Sequence, residues 1–232
     1  MIREITLYAL NSKFSNIHPL EKLSAVIISL ILCSFVQNKY IIIFNSCLFI
    51  ILNLIAKNPI KLISKFLIIS CTFFIFTAIT LAISDYSKEY IILLFLKGIN
   101  GALTISFLAL TTSINHIVWI ANKGKYTRDV GDIAKGMETF LILIEKDFNN
   151  TIKALKSRGG FNGKINSIKD FGKLCSVVMK NLVFRWKEIN LGLKNRCYIG
   201  RHNYSYNFHI NKKRCIYILS YLIIMISIIY MF

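Results

Sequence analysis

The sequence predicts an all-α integral membrane fold of about five transmembrane helices plus two long amphipathic cytoplasmic helices. Three observations carry that expectation. Hydrophobic residues make up 55% of the chain and charged residues 17%, against about 25% charged in an ordinary soluble domain. Several apolar runs approach or exceed the roughly 20 residues that a helix needs to cross a bilayer. Finally, 20 of the 29 Lys and Arg fall in residues 122–214, against 7 of the 11 acidic residues. The expected organisation is therefore residues 1–121 with transmembrane helices 1–4, residues 122–214 as a cytoplasmic helical region, and residues 215–232 as a C-terminal transmembrane helix.

Taken in order, residues 1–19 are polar and carry Arg3 and Lys13. The apolar run that follows has no small-residue cleavage site, so a retained first helix is expected rather than a signal peptide. Pro19 stands just ahead of the first span, residues 20–36, where a missing N–H costs no hydrogen bond; Lys22 is expected to stay near the head groups. Residues 40–56 form the second span and Asn58-Pro59 breaks it. The third, residues 62–83, closes at the small polar loop 84–89. Residues 90–121 are one apolar stretch, more than a single crossing needs, and their tail from 111 to 121 is expected to emerge and turn along the surface.

Charge placement orients these spans. The N-terminus and the loop holding Lys57, Lys61 and Lys65 are basic, whereas residues 37–39 and 84–89 carry little net positive charge. The positive-inside rule then puts the N-terminus and residues 122–214 in the cytoplasm of a multi-pass cell-membrane protein. The last span follows Lys212-Lys213-Arg214 and leaves the C-terminus outside.

Within the basic region Ala134, Met137, Phe140, Leu141, Ile144, Phe148, Ile152 and Leu155 recur at steps of three and four. That spacing is one face of an amphipathic helix, and Gly159-Gly160 stops it. Lys135, Glu138, Glu145, Lys146, Asn149, Lys153 and Lys156 are assigned to the other, solvated face, with Asp147 near it. Leu174, Val177, Val178, Leu182, Trp186, Ile189 and Leu193 mark a second helix, with residues 161–170 as a connector.

The two helices end alike. Residues 154–160, ALKSRGG, align with residues 192–198, GLKNRCY, at an offset of 38, matching Leu155 with Leu193, Lys156 with Lys194 and Arg158 with Arg196. A basic residue at a helix C-terminus often does no more than complement the helix dipole. Two matched copies on two long amphipathic helices point instead to a pair of docking ends.

These residues resemble a known pattern. An Ala-x-x-x-Arg-Gly motif ending one amphipathic helix, with a second copy after a further helix, is similar to the transmembrane coupling subunit, or T component, of energy-coupling-factor transporters, the EcfT/CbiQ family. His18-Pro19-Leu20-Glu21-Lys22-Leu23 is similar to that family's Asp-Pro-x-x-Lys-Leu entry to the first helix, and Thr111-Thr112-Ser113 to the Thr-Thr-Pro before its cytoplasmic region. Residues 140–159, with Glu145 and Arg158-Gly159, resemble its first coupling helix.

The resemblance implies a non-catalytic transporter subunit. Its partners would be two ABC-type ATPase subunits, a membrane substrate-binding S component and the bilayer. The implied ATPase-docking residues are Ala154, Ser157, Arg158 and Gly159 on the first helix and Gly192, Asn195, Arg196 and Cys197 on the second. The cargo class is a vitamin or a metal ion such as cobalt or nickel, with no cofactor or resident metal. Ser157 stands where the family favours Ala, Gly192 where Ala is expected, and Cys197 where a small residue is usual. Cys enters a left-handed cap less readily than Gly, so the second end is expected to be looser or its ATPase groove different.

The remaining constellations are weaker. Cys197, His202, His209 and Cys215 lack the paired spacing of structural zinc sites. The six cysteines show no CxxC pair or disulfide framework. His116 is expected to be packed or interfacial. Lys97 is expected to snorkel toward the outer surface, in preference to a polar contact with a partner. A basic, aromatic-poor helix pair on a membrane is a poor nucleic-acid reader. There is no phosphate loop, HExxH or GxSxG motif. A membrane-embedded enzyme acting on anionic lipid is the alternative that the Lys and Arg excess permits, although no acid/base set supports it.

Overall fold

The computed structural model describes residues 2–84, 87–124, 127–197, 206, 208 and 211–231, whose regular secondary structure is entirely helical. The helices are α1 (Ile2–Asn11), α2 (Pro19–Phe35), α3 (Lys39–Ile55), α4 (Ile60–Ile83), α5 (Lys88–Thr111), α6 (Ile114–Ala121), α7 (Arg128–Ser157), α8 (Lys164–Asn195) and α9 (Lys212–Met231). They fall into two compact units, Arg3–Ile120 with Tyr206–Phe232, and Ala121–Ser205.

Two helices of the first unit, α4 and α5, are each 24 residues long and apolar enough to cross a membrane; α3 is apolar and shorter. Their ends are set by short-range chemistry. Pro19 opens α2, and the His18 Nδ1 accepts the Leu20 N–H at 3.2 Å. The Asn38 side chain caps α3 by accepting the Tyr40 N–H at 3.0 Å. Ser87 does the same for α5. Helix α1 lies in the N-terminal stretch expected only to be polar, and it buries Ala9 completely.

Residues 90–121 are two helices rather than one stretch. Thr112 adopts an extended conformation after α5, which interrupts the hydrogen-bond ladder before α6 begins. α6 is packed rather than free: His116, Val118 and Trp119 are buried, and the His116 ring lies edge-on to Tyr206 and Phe208 at 5.0 and 4.9 Å.

The Lys22 side chain is packed inside the unit, 5% exposed. Its ammonium donates to the Thr111 carbonyl at 2.6 Å and the Phe14 carbonyl at 2.9 Å. Thr111 is the last residue of α5, so the ammonium meets a carbonyl with no intrahelical partner, at the negative end of the helix dipole. Glu21 has the converse task. Its carboxylate accepts the Asn211 N–H at 3.1 Å just ahead of α9, with Arg214 3.7 Å away. Adjacent opposite charges on the first turn of α2 thus hold the C-terminus of one helix and the N-terminus of another.

Deeper in the unit the helices are joined by polar side chains. Asn45 on α3 is fully buried; its amide donates to Asn100 Oδ1 on α5 and to Ser29 Oγ on α2, both at 3.0 Å. The Tyr221 hydroxyl on α9 donates to Asn45 Oδ1 at 2.6 Å. Apolar packing surrounds this network, with Cys33, Val36, Ile41, Ile42, Leu93 and Met225 on one side and Val26, Phe49, Ala56, Leu103 and Phe107 on the other. Lys97 donates to the Ser34 carbonyl near the end of α2 at 2.7 Å, another cation at a helix C-terminus.

Replacing Lys22 by Met leaves the buried Thr111 carbonyl without this donor, while the Phe14 carbonyl keeps the Ile17 N–H, a cost of about 1–3 kcal/mol. Thermal unfolding in detergent should show a clear fall in Tm for Lys22→Met. Glu21→Gln, which keeps an oxygen for the Asn211 N–H, should lose less.

Candidate docking site

The second unit is built on α7 and α8, of 30 and 32 residues. The chain reverses between them in the few residues from Arg158 to Gly163, where Gly159 at φ +77°, Phe161 at +65° and Gly163 at +82° are left-handed. Because the turn is this tight, α8 starts at Lys164 and takes in most of the expected connector. Asp170, on the first two turns of α8, reaches back to accept the Phe161 N–H at 3.0 Å, and Lys173 donates to it at 3.1 Å. The Phe161 N–H first, and then the Lys173 ammonium, hold the Asp170 carboxyl below its ordinary range.

The packed face of α7 differs from the one expected. Glu138 and Asp147, assigned to or near the solvated side, are 3% and 6% exposed, whereas Met137 is 60% exposed. Their burial follows from pairing. Lys135 donates to Glu138 at 2.6 Å. Arg185 on α8 grips Asp147 with two parallel bonds, Nε to Oδ2 and Nη2 to Oδ1, both 2.9 Å. On α8 the fully buried residues are Leu174 and Val178.

The predicted docking residues fall into two separate groups. Ala154, Ser157, Arg158 and Gly159 are all exposed at the end of α7, and Ser157 Oγ donates to the Ala154 carbonyl at 3.0 Å. Asn195, Arg196 and Cys197 are exposed at the end of α8, with Gly192 half-buried one turn earlier. Five residues lie between Arg158 and the start of α8, and Arg196 caps the other end of that helix, so the two groups flank α8 in the chain. Neither guanidinium bonds another described residue. Glu145 is half-buried on α7.

The two ends share one backbone geometry. Arg158 caps α7 at φ −94°, ψ 15°, and Arg196 caps α8 at φ −95°, ψ 15°. In each case the next residue is left-handed, Gly159 at +77° and Cys197 at +53°. The Gly159 N–H bonds the Lys156 carbonyl at 3.1 Å, and the Cys197 N–H bonds the Lys194 carbonyl at 3.0 Å. The first end adds a bond from the Gly160 N–H to the Leu155 carbonyl at 2.9 Å, which completes a Schellman cap. A Cβ on Gly160 would approach that carbonyl oxygen to 2.8 Å, so this position needs glycine. Cys197 does adopt the left-handed cap, at the steric cost of its Cβ, with its N–H bonded to the Lys194 carbonyl.

Among the described residues no group of three or more His, Cys, Asp and Glu could hold a metal ion. Of the weak zinc pattern, His202 and His209 lie outside the described residues. What the sequence missed was the Asp147–Arg185 pair, whose members stand at the same offset of 38 as the two capping arginines.

A family model described as "Cobalt transport protein", CbiQ, matches residues 11–206. No curated protein matches the chain.

Two outcomes follow for the helix ends. Since the Asp170 carboxyl titrates below its ordinary range, its contribution to the turn is complete above about pH 4 and is lost only as pH falls through the lowered value. A spin label at Asn162 should therefore keep its mobility from pH 7 down to about pH 4 and gain mobility below that. Cys197→Gly relieves a left-handed non-glycine residue and should stabilise the end of α8 by about 0.5–1 kcal/mol, read as slower amide exchange at Arg196 and Cys197.

Proposed function

The chain belongs to the CbiQ family of cobalt transport proteins, and on that premise we propose that it is the transmembrane coupling subunit of an energy-coupling-factor importer. In this reading it forms about five transmembrane helices, residues 20–36, 40–56, 62–83, 90–110 and 216–232, with residues 122–214 in the cytoplasm. Arg158 and Arg196 dock into two ABC-type ATPase subunits. Each guanidinium offers a planar fork of donors to the carboxylates and helix-end carbonyls of an ATPase groove. Ala154, Ser157 and Gly159, and Gly192, Asn195 and Cys197, form the small surface around each fork.

One observation carries this reading: two exposed arginines at equivalent sequence positions cap two helices with the same backbone dihedrals, and neither bonds another described residue. An arginine that merely capped its own helix would fold back onto the free carbonyls. The exposed apolar side chains of α7 and α8, among them Ile133, Met137, Ile168, Met179 and Trp186, supply a surface for a membrane-embedded S component. Closure of the ATPase pair on ATP displaces the two arginine-bearing ends, and the stiff helices pass that displacement to the S component. The cargo, a vitamin or a cobalt- or nickel-type metal ion, is held by the S component and not by this chain. Hydrolysis belongs to the partners.

The test is affinity purification of the tagged protein in mild detergent beside a form carrying Arg158→Glu and Arg196→Glu. The wild type should bring down ATPase subunits and the charge-reversed form should lose at least nine-tenths of them while keeping its Tm. Two folded forms that both come down alone would sink the proposal.

A further inference from the structure

We propose that the Asp147–Arg185 pair is the positioning contact that sets the spacing of the two docking ends, so that both engage the ATPase pair at once. The inference rests on the docking reading above and adds to it the device that holds the ends in register.

Three observations lead there. The first is register. Asp147 precedes Arg158 by 11 residues and Arg185 precedes Arg196 by 11, so each docking end stands about 16 Å along its helix from the pair. Asp147 and Arg185 are thus the same position in the two copies, one acidic and one basic.

The second is geometry. Two parallel bonds of 2.9 Å between a planar guanidinium and a planar carboxylate fix direction as well as distance. Lys135–Glu138 and Lys173–Asp170, by contrast, each join residues three apart on one helix and say nothing about the relation between α7 and α8.

The third is the scarcity of other fastening. The fully buried residues of α8, Leu174 and Val178, both lie on the turn side of Arg185. No residue from 179 to 197 is fully buried, and Phe184, Trp186 and Leu191 are more than half exposed. Beyond Val178 the apolar residues of the outer arm are at most partly buried, Leu182, Ile189 and Leu193 among them, so the directional grip of Arg185 on Asp147 is what fixes the arm that carries Arg196. Freeing that arm spreads the tip over many positions. The effective concentration of the second docking end at its ATPase falls once the first end has bound.

The test is a mutant cycle on the full chain, with purified partner ATPase as the probe. Asp147→Asn keeps the shape of the side chain but removes the charge that holds the fork. It should weaken ATPase binding by about tenfold. In an Arg196→Glu background, where one end alone can dock, Asp147→Asn should cost nothing further. A purely structural role would lower binding in both backgrounds, and that result overturns the proposal, as does unchanged binding in the single variant. A second arm uses no ATPase. Spin labels carried on bio-orthogonal amino acids at Asn150 and Asn190 should give a narrow distance distribution in the wild type. Asp147→Asn should broaden it at least twofold, and the exchanged pair Asp147→Arg with Arg185→Asp should narrow it again. An unbroadened distribution in Asp147→Asn, or a broad one in the exchanged pair, refutes the pin whatever the ATPase arm shows. If the wild type binds no ATPase while the distances behave as expected, the docking reading fails and the pin stands.

Discussion

A helix end buried away from water leaves backbone groups that only another part of the chain can satisfy. In the first unit that constraint is met by Glu21 and Lys22 on the opening turn of α2. Lys22 gives its protons to the carbonyls of Phe14 and Thr111, and Glu21 takes the N–H of Asn211. The signs match the dipoles, with a cation at the C-terminus of α5 and an anion at the N-terminus of α9. The chain leaves the first unit at the end of α6, one short helix after α5, and returns to it at Tyr206, just ahead of α9. The edge-on aromatic contacts of His116 with Tyr206 and Phe208 bring the same two passages together a few residues further on.

The helices between those ends are held together by a logic opposite to that of a soluble core. Where the surroundings are hydrocarbon, an apolar side chain gains little by turning inward, whereas an amide or hydroxyl must turn inward to find a partner. Asn45, Asn53 and Asn100 are accordingly among the most deeply buried residues of the unit, while Phe73, Phe76 and Ile83 on α4 face outward. The Asn45 network draws α2, α3, α5 and α9 to one point and fixes their rotation. Its bonds are directional, which dispersion contacts among Leu, Ile and Phe are not.

The second unit solves a different problem. Two long helices that expose much of their apolar surface have few buried residues to hold them together. The turn at Gly159–Gly163 and the Asp170 carboxylate fasten one end of the hairpin, and the ionic grip of Arg185 on Asp147 fastens α8 further along. In the chain Arg158 lies between the two fastenings and Arg196 lies 11 residues past the second.

Much of this was legible in the residues alone. Apolar run length marked α2, α3, α4, α5 and α9; period and glycine marked α7 and its end; and the 38-residue echo marked the two arginines. Each of those signals is local, and so is the physics behind it. The sequence was silent wherever the answer depended on what stood across from a residue. Glu138 and Asp147 read as surface carboxylates because their partners were not visible from their own helix. The burial of Lys22 was not visible from its own helix because the carbonyl it serves is 89 residues away. Residues 164–170 read as a connector because Asn166, Ser167 and Asp170 are weak helix formers, yet the helix starts there, with Asp170 bonded back to the turn. Composition and periodicity determined that this is a helical, membrane-type chain with two matched basic ends. The tertiary structure decided which charges are buried, because the cost of burying a charge is set by its partner and not by its neighbours in the chain.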